Sequence, residues 1–371
     1  MQNYQIKVGE PLEVLTTAGQ LIANSQTEQA HALLDELLAD LPPHDDITKL
    51  CALALRYRNK TDIPMYLRDL DEDDKQINVF DLVLQSVPPV RVVSMSALQT
   101  MKELYGSGIS SFTHLNIGIG KGRFEAALLQ EIAQLPLDKM PRHIKIVGVD
   151  IDNDSLRETG EAIQHLADAL FPDSVTIEYT PIFAFAEAIT PETWEAIHAH
   201  GTDALGVISA FTLHHIPTQK QRQEVINQIA ACDPTLLVLL EPDTDHFTPK
   251  LKERVANCWN LFGNIFKLID RKGLSSAEAR AIKYTFFGRE IEDILSNEES
   301  QRSEKHEPAP RWAARLEKAG FSMHQLIHSE SLRALSAEDD LDVVHNIKQK
   351  YFSTHYQNVP MVAMFTASKF F

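Results

Sequence analysis

Three glycines at alternate positions form the segment best suited to binding a ligand. Gly118, Gly120 and Gly122 follow a short apolar run and precede the helix-forming run 125–133. An apolar run, a glycine turn and a helix are typical of the first unit of a βαβ fold. Glycine lets a ligand lie against bare backbone, and a helix N-terminus favours a carboxylate or phosphate. We predict a ligand-binding turn here, although a tight turn without a ligand explains the same residues.

The glycine spacing disfavours two common ligand classes. A dinucleotide-binding turn has glycine at its first, third and sixth positions, and Arg123 occupies the sixth position here. A Walker loop ends in Gly-Lys followed by Ser or Thr, whereas Gly122 follows Lys121. The segment therefore fits neither NAD or FAD binding nor a nucleoside triphosphate loop.

An acidic residue ends the next predicted strand. The segment 145–152 reads KIVGVDID, and its apolar part stops at Asp150. An acid at the end of the second strand can accept hydrogen bonds from both hydroxyls of a ribose. The gap from Gly122 exceeds the usual ~20 residues, and we place the excess in a surface loop over 135–143. A helix N-cap or a solvated acid is the alternative interpretation of Asp150.

The elements that position these residues alternate between strand and helix. The apolar runs predict further strands at 175–179, 205–209, 235–241 and 361–367. The pattern indicates an α/β fold with a doubly wound, Rossmann-like, mostly parallel sheet, in which ligands bind at the carboxyl ends of the strands. The residues predicted at such ends are Gly118, Asp150, Phe211, His214, His215 and Glu241.

Helical segments flank this core. We predict a helical N-terminal cap over 1–105, an α/β core over 106–371 and a helical insertion over 246–310. The apolar stripe from Leu251 to Ile269 is interpreted as core packing. Two Ser-x-x-Glu motifs, at Ser25 and at Ser275, predict capping boxes. The acidic run 69–74 is interpreted as a solvated loop.

Composition narrows the function classes. The 371 residues carry a formal net charge of −17, which disfavours nucleic-acid binding through a basic face. The three cysteines lie far apart, so we expect neither a disulfide framework nor a metal site. The N-terminus has no signal pattern, and no run of 18 apolar residues occurs. We expect a cytoplasmic protein that does not bind membranes.

The G-x-G-x-G spacing resembles the turn of class I S-adenosylmethionine (SAM) methyltransferases. More specifically, the chain from about Pro88 onward resembles the GRAS-domain family, which shares that fold and carries an N-terminal helical cap. The blocks that carry this resemblance are HLNIGIGKG, LRETG, SAFTLHHIP, the segment that begins LLEPDTDHF, and the segment from FFGREIEDIL to RWAARLEKAGF. Plant members act mainly as transcriptional regulators. Because this chain keeps the glycine turn, it resembles a bacterial-type member, for which small-molecule methylation is implied.

The resemblance implies SAM as the cofactor and a small molecule as the methyl acceptor. The residues expected to bind SAM are Asn116, Gly118, Ile119, Gly120, Gly122, Asp150, Ile151 and Phe211. Methyl transfer is an in-line displacement that a nearby base assists. We assign His215 and Glu241 to catalysis and His214, His246 and Arg289 to the substrate, with Arg289 also a candidate partner for Glu241. Structural roles for both His214 and His215 are the alternative.

A second hypothesis comes from a different class of protein. The chain could be a non-catalytic ligand-binding or regulatory scaffold that contacts a protein partner or a second copy through the cap or the insertion. Asn116 stands where many methyltransferases carry an acid, which favours this alternative. Retention of the glycine turn and of Asp150 favours the enzyme.

Overall fold

Two units make up the chain in a computed structural model that describes residues 10–58, 76–324, 336–337 and 340–369. The helical unit comprises Met1–Val87 and Thr244–Glu307, and the sheet unit comprises Pro88–Asp243 and Pro308–Phe371. The helix Pro88–Tyr105, which the sequence grouped with the cap, thus falls in the sheet unit. The insertion falls in the same unit as the N-terminal helices. The acidic run 69–74 lies outside the described residues.

The helical unit contains helices from both of its chain segments. They are α1 Pro11–Ala23, α2 Thr27–Ala39, α3 Asp46–Arg56, α4 Gln76–Ser86, α10 Leu251–Asp270, α11 Ser276–Arg280, a π-helix Ala281–Phe286 and α12 Phe287–Ser296. Helix α10 packs against α1 and α3. Its stripe from Leu251 to Ile269 is buried, so the interpretation as core packing is confirmed.

The two predicted capping boxes have different outcomes. Ser275 and Glu278 form one at the start of α11, with both reciprocal hydrogen bonds present. The prediction at Ser25 is wrong, because α2 begins after Gln26 without a side-chain cap. Ser25 instead has a φ of 63°, which places it in the turn that follows α1.

The sheet unit is built on a sheet to which the described residues contribute nine strands. The strands are β1 Ser111–Ile117, β2 His143–Asp150, β3 Thr176–Phe183, β4 Ala204–Ala210, β5 Leu236–Pro242, β6 Ser322–Met323, β7 Asp342–Asn346, β8 Tyr351–Tyr356 and β9 Val359–Ser368. Their order is β3-β2-β1-β4-β5-β9-β8-β7, with β6 paired to β9. The first five strands are parallel, and the others join antiparallel.

Helices accompany this sheet along the chain. They are α5 Pro88–Tyr105, α6 Arg123–Ala133, α7 Asn153–Leu170, α8 Pro191–His198, α9 Gln219–Ala231 and α13 Ala309–Lys318. Alternate side chains of β1 point to opposite faces of the sheet, and both faces are buried at this strand. Leu115 and Ile117 join an apolar cluster with Trp194 and Trp312, whereas His114 bonds to α6.

The register of the parallel strands aligns their carboxyl ends. Ile117 of β1 pairs with Val149 of β2 and Ser209 of β4, and Ser209 pairs with Leu239 of β5. The glycine turn, Asp150 and Glu241 therefore reach the same edge of the sheet. The predicted mixed α/β fold with a mostly parallel central sheet is confirmed. Strands β6, β7 and β8 were not predicted. In the described part of the chain, no helix combines the length and the apolar character that a membrane span requires.

Candidate functional site

The glycine turn after β1 has backbone dihedral angles that residues other than glycine adopt only at an energetic cost. Gly118, Gly120 and Gly122 have φ values of 88°, 53° and 63°. A Cβ atom on Gly118 would lie 1.9 Å from Oγ1 of Thr212. The amides of Gly118 and Ile119 both donate to the carbonyl of Val149, which anchors the turn to β2. Glycine is thus required by the fold of the turn itself.

Asp150 holds this turn through its carboxylate. Oδ2 accepts the amide of Gly120 at 2.8 Å, and Oδ1 accepts the amide of Asp152 at 2.9 Å. The side chain therefore ties the end of β2 to the turn and to the segment that leads into α7. The adjacent Ile151 is exposed. Asp150 lies at the predicted position, and both of its oxygens are engaged with backbone amides.

A buried polar network lies behind the turn. Asn116 donates from Nδ2 to Oε1 of Glu125 at 2.7 Å, and Nε2 of His114 lies 3.1 Å from the same oxygen. Nδ1 of His114 lies 3.0 Å from the hydroxyl of Tyr105. Burial, and then the Glu125 carboxylate, raise the pKa of Tyr105 well above its usual value. The phenol therefore stays protonated, and the imidazole of His114 links Tyr105 to the carboxylate of Glu125.

Glu125 is a residue that the sequence analysis missed, although the sequence contains a signal for it. Glu125, Leu128, Leu129 and Ile132 recur at the spacing of one helix face, and all four are buried. A glutamate within an apolar stripe requires a polar partner, because an unpaired buried carboxylate is costly. Asn116 meets part of that requirement, so its amide nitrogen is engaged within the protein.

His214 and Glu241 form a second buried pair at the carboxyl ends of β4 and β5. Oε2 of Glu241 lies 2.6 Å from Nδ1 of His214, and Oε1 accepts the amide of Leu213 at 2.9 Å. Both partners belong to the sheet unit, whereas Arg289, the partner considered from the sequence, belongs to the helical unit. His214 and the amide of Leu213 thus satisfy the buried carboxylate of Glu241, and the pair ties the segment after β4 to β5.

The segment that carries the two histidines is a turn. Leu213–His215 forms a 3-10 helix, in which His214 is buried and His215 is exposed. Phe211, just before it, has a φ of 55°, an unusual value for a bulky residue. The carbonyls of His214 and Ile216 both accept hydrogen bonds from Arg222. The fully buried Arg222 was missed, since nothing in the spacing of helix α9 distinguishes it.

The remaining predicted site residues belong to the helical unit. His246 is fully buried, with Nδ1 2.8 Å from Nδ1 of His306. Burial, and then the charges of His306 and Arg302, lower the pKa of His246 well below its usual value. Arg289 is half-buried in helix α12 and lines a cleft with Glu290 and other residues. His246 thus has the environment of a structural core histidine.

One group of side chains in the helical unit has the composition of a metal site. The ligand atoms of Glu290, Glu304 and His306 lie within 4.8 Å of one another. Nε2 of His306 is 3.1 Å from Oε2 of Glu304, a distance that also suits a hydrogen bond. Metal-ligand spacing was not found in the sequence, because Glu290 is on α12 and the other two follow it in a loop.

The chemistry available at the sheet edge is limited by these contacts. The carboxylates of Asp150, Glu125 and Glu241 each accept hydrogen bonds from the protein itself. Such contacts fix the loops at the carboxyl ends of the strands. The edge of the sheet is therefore held by internal hydrogen bonds, with His215 and Ile151 among its exposed side chains.

Known proteins resemble this chain over most of its length. Scarecrow-like protein 1 of Arabidopsis thaliana is 22% identical over 362 residues, 92% of this chain and 58% of that protein. A DELLA protein GAI of Gossypium hirsutum is 24% identical over 318 residues, 81% of this chain and 53% of that protein. The chain thus spans little more than half the length of these curated relatives.

A solved structure shares the fold. The crystal structure of SCL7 in Oryza sativa aligns with a TM-score of 0.77 at 18% identity, over 97% of this chain and 99% of that chain. Methyltransferase structures align with TM-scores of only 0.34 to 0.42, which support no argument about this chain.

The prediction of a SAM-dependent methyltransferase is wrong. The relatives are plant Scarecrow-like and DELLA proteins, and neither name is that of an enzyme. The assignment of His215 and Glu241 to catalysis depended on that activity and is withdrawn with it. Proteins of one fold can keep a glycine turn and perform different functions, so the turn did not identify the activity. The binding of SAM itself stays a prediction.

A family model that matches most of the chain, and not the glycine turn alone, identifies the family. The model of the GRAS domain family matches residues 11–343, which include most of both units. The expectation of a bacterial-type member has no support, since the relatives reported above are plant proteins. The chain belongs to the GRAS domain family.

Proposed function

We propose that this chain is a non-catalytic regulatory scaffold that binds a protein partner through an apolar surface at the edge of its sheet. The β2–β3 surface consists of Ile151, Phe183 and Phe185, whose exposed fractions are 56%, 66% and 59%. This exposure is the observation that carries the proposal, because large apolar side chains grouped on a surface mark interaction sites.

The three side chains belong to one place in the fold. Asp150 pairs with Phe183 in the register of β2 and β3, and the amide of Ala184 donates to the carbonyl of Asp150 at 3.0 Å. Ile151 directly follows that paired residue. Strand β3 stands at the end of the sheet order, so this surface is at the margin of the sheet.

Charge indicates the kind of partner. Asp152 and Asp154 follow Ile151, Glu187 follows Phe185, and the chain as a whole carries −17. A second copy of the chain would repel this surface, whereas a basic segment with apolar side chains would complement it. The proposed partner is therefore a different protein that carries a basic segment with apolar side chains. The charge favours this partner over a second copy of the chain.

Cross-linking in the source cells tests this function. We expect photo-cross-linkers next to the β2–β3 surface to capture one protein through a basic, apolar segment. The double variant Phe183→Ser, Phe185→Ser should reduce capture by about tenfold or more. Both side chains are exposed, so folding should not change.

Two matched variants make the result specific. Leu137→Ser removes a side chain that is 69% exposed elsewhere on the sheet unit, and it should retain the partner. Asp150→Ala removes the carboxylate assigned to ligand binding and should retain most of the capture. Capture that survives the double variant, or that depends equally on Leu137, would contradict the proposal.

A further inference from the structure

A cleft in the helical unit collects basic side chains at the beginning of α10. Its volume is about 840 Å³, within the range of sites that hold small molecules. The basic residues of its lining are His31, Arg58, Lys250, Lys252 and Arg254. The acidic residues of its lining are Glu253, Glu298 and Glu299. The Lys and Arg side chains of the lining thus outnumber its carboxylates by four to three, in a chain whose net charge is −17.

Arg254 is the residue that points to a ligand. Its side chain lines the cleft, yet the residue is only 4% exposed. One terminal nitrogen donates to the carbonyl of Thr248 at 3.0 Å, and the carboxylate of Glu299 lies 4.0 Å away. Within the described part of the chain, Nε of Arg254 has no hydrogen-bond partner. A buried donor without an acceptor is costly, so the guanidinium of Arg254 is incompletely compensated by the described part of the protein.

The carboxylates near Arg254 do not balance the local positive charge. Glu299 also contacts Arg302 and, at 3.2 Å, Lys305. Glu298 lies 3.4 Å from Arg58, and Glu253 lies 2.7 Å from Lys250. Three carboxylates thus face six Lys and Arg side chains. Burial, and then the charges of Arg302 and Arg58, lower the pKa of Arg254 to about 10, although Glu299 and Glu298 act in the opposite direction. The site therefore holds excess positive charge at neutral pH.

The helix adds to this field. Helix α10 is 20 residues long, and its N-cap, Lys250, makes no side-chain capping bond. The first amides of a helix have no intrahelical acceptor, and the helix dipole favours an anion at that end. Lys252 lies in the same first turn and lines the cleft. Backbone and side-chain donors thus meet at one end of the cleft.

We propose that this cleft binds an organic phosphate, with the phosphate group between Arg254 and the first turn of α10. A phosphomonoester carries close to two charges and several acceptor oxygens at neutral pH, so it can satisfy guanidinium and amide donors together. The rest of the cleft accommodates the organic part. This site is in the helical unit, and its binding does not depend on the β2–β3 surface.

Titration calorimetry with three probes tests the proposal on the full chain. Phenyl phosphate should bind saturably, with a Kd below about 1 mM, and more tightly than inorganic phosphate because the cleft also holds the ring. Benzoate has the ring but a single charge and should bind at least about tenfold more weakly. Benzoate binding equal to that of phenyl phosphate would overturn the choice of phosphate. Equal affinity for phenyl phosphate and inorganic phosphate would overturn the proposal that the cleft also binds the organic part of the ligand.

Variants test the position of the site. Arg254→Gln should weaken phenyl phosphate binding by about tenfold or more, and Lys252→Gln by a smaller factor. Lys220→Gln removes one positive charge from the sheet unit and should leave the affinity unchanged. Lys252 is exposed, so Lys252→Gln gives the answer if Arg254→Gln fails to fold. Absence of saturable binding, or affinity unchanged in the variants of the cleft, would overturn the site.

Discussion

Glu125 shows how one buried carboxylate can organise the inner face of a sheet. It is fully buried and accepts hydrogen bonds from Asn116 and His114, residues of the same strand. We expect Glu125→Ala to lower the free energy of unfolding by about 3 kcal/mol, because two buried donors lose their acceptor. Urea denaturation of the purified protein measures this change.

A second glutamate on the same helix serves as the control. Glu131 pairs with Lys102, and both side chains are about one-third exposed. Exposed ion pairs contribute little, so Glu131→Ala should cost less than about 1 kcal/mol. Equal losses for the two variants would show that the buried network does not stabilise the fold.

His246 makes the stability of the chain depend on pH. Its pKa in the folded protein lies well below its usual value, because burial and the charges of His306 and Arg302 disfavour the imidazolium. The unfolded chain therefore binds a proton that the folded chain excludes. Stability from this residue is complete above about pH 6.5 and decreases as the pH falls below that value.

The expected difference is measurable by chemical denaturation between pH 5 and 7. Below about pH 6.5 the wild-type protein should lose up to about 1.4 kcal/mol per pH unit more than His246→Gln, because glutamine takes up no proton. His165→Gln, at an exposed position, is the matched control. A His246→Gln protein with the slope of the wild type would contradict the assignment.

At the scale of elements, a Ser-x-x-Glu motif caps a helix only where its serine occupies the N-cap position. Ser275 accepts the amide of Glu278 at the start of α11, whereas Ser25 has a left-handed backbone and caps nothing. Loss of an N-cap typically costs about 1 kcal/mol. We therefore expect Ser275→Ala to destabilise the protein by about that amount.

The same substitution at the other motif is its control. Ser25→Ala should change the free energy of unfolding by less than about 0.5 kcal/mol, since it leaves the strained backbone as it is and removes no cap. Guanidinium denaturation of both variants compares them. A larger effect at Ser25 than at Ser275 would mean that the cap in α11 carries no stability.

At the scale of the whole molecule, the sheet unit is formed by two separate chain segments whose ends meet. The carboxylate of Asp243 accepts the amide of Ala309 at 2.7 Å. A short Gly-Ser linker can therefore replace residues 244–307, and residues 1–87 can be removed with them. We expect the resulting protein to keep a cooperative thermal transition in circular dichroism.

The contrasting deletion removes residues 1–87 alone. That protein retains α10 but lacks α1 and α3, the helices against which α10 packs. The apolar stripe that includes Leu251 and Val255 would then face water, so we expect aggregation during purification. A soluble, monomeric protein after this deletion would show that the N-terminal helices do not cover α10.

Residue patterns and ordered sequence blocks determined the fold class, the glycine turn and the family. Alternating apolar runs are local properties, which is why β2, β4, β5 and β9 were predicted close to their observed bounds. The stripe of α10 and the capping box at Ser275 were predicted for the same reason. The glycine turn was located correctly, but its presence did not determine an activity, since the same turn also serves to connect β1 to α6.

Tertiary structure decided which partners the polar residues have. Asn116 and Asp150 have Glu125 and backbone amides as partners, and Glu241 has His214, because the register of distant strands brings them together. The grouping of the insertion with the N-terminal helices is likewise a long-range property. Contacts between residues far apart in the chain depend on packing, which no short sequence pattern contains. The tertiary structure therefore decided how the site is built.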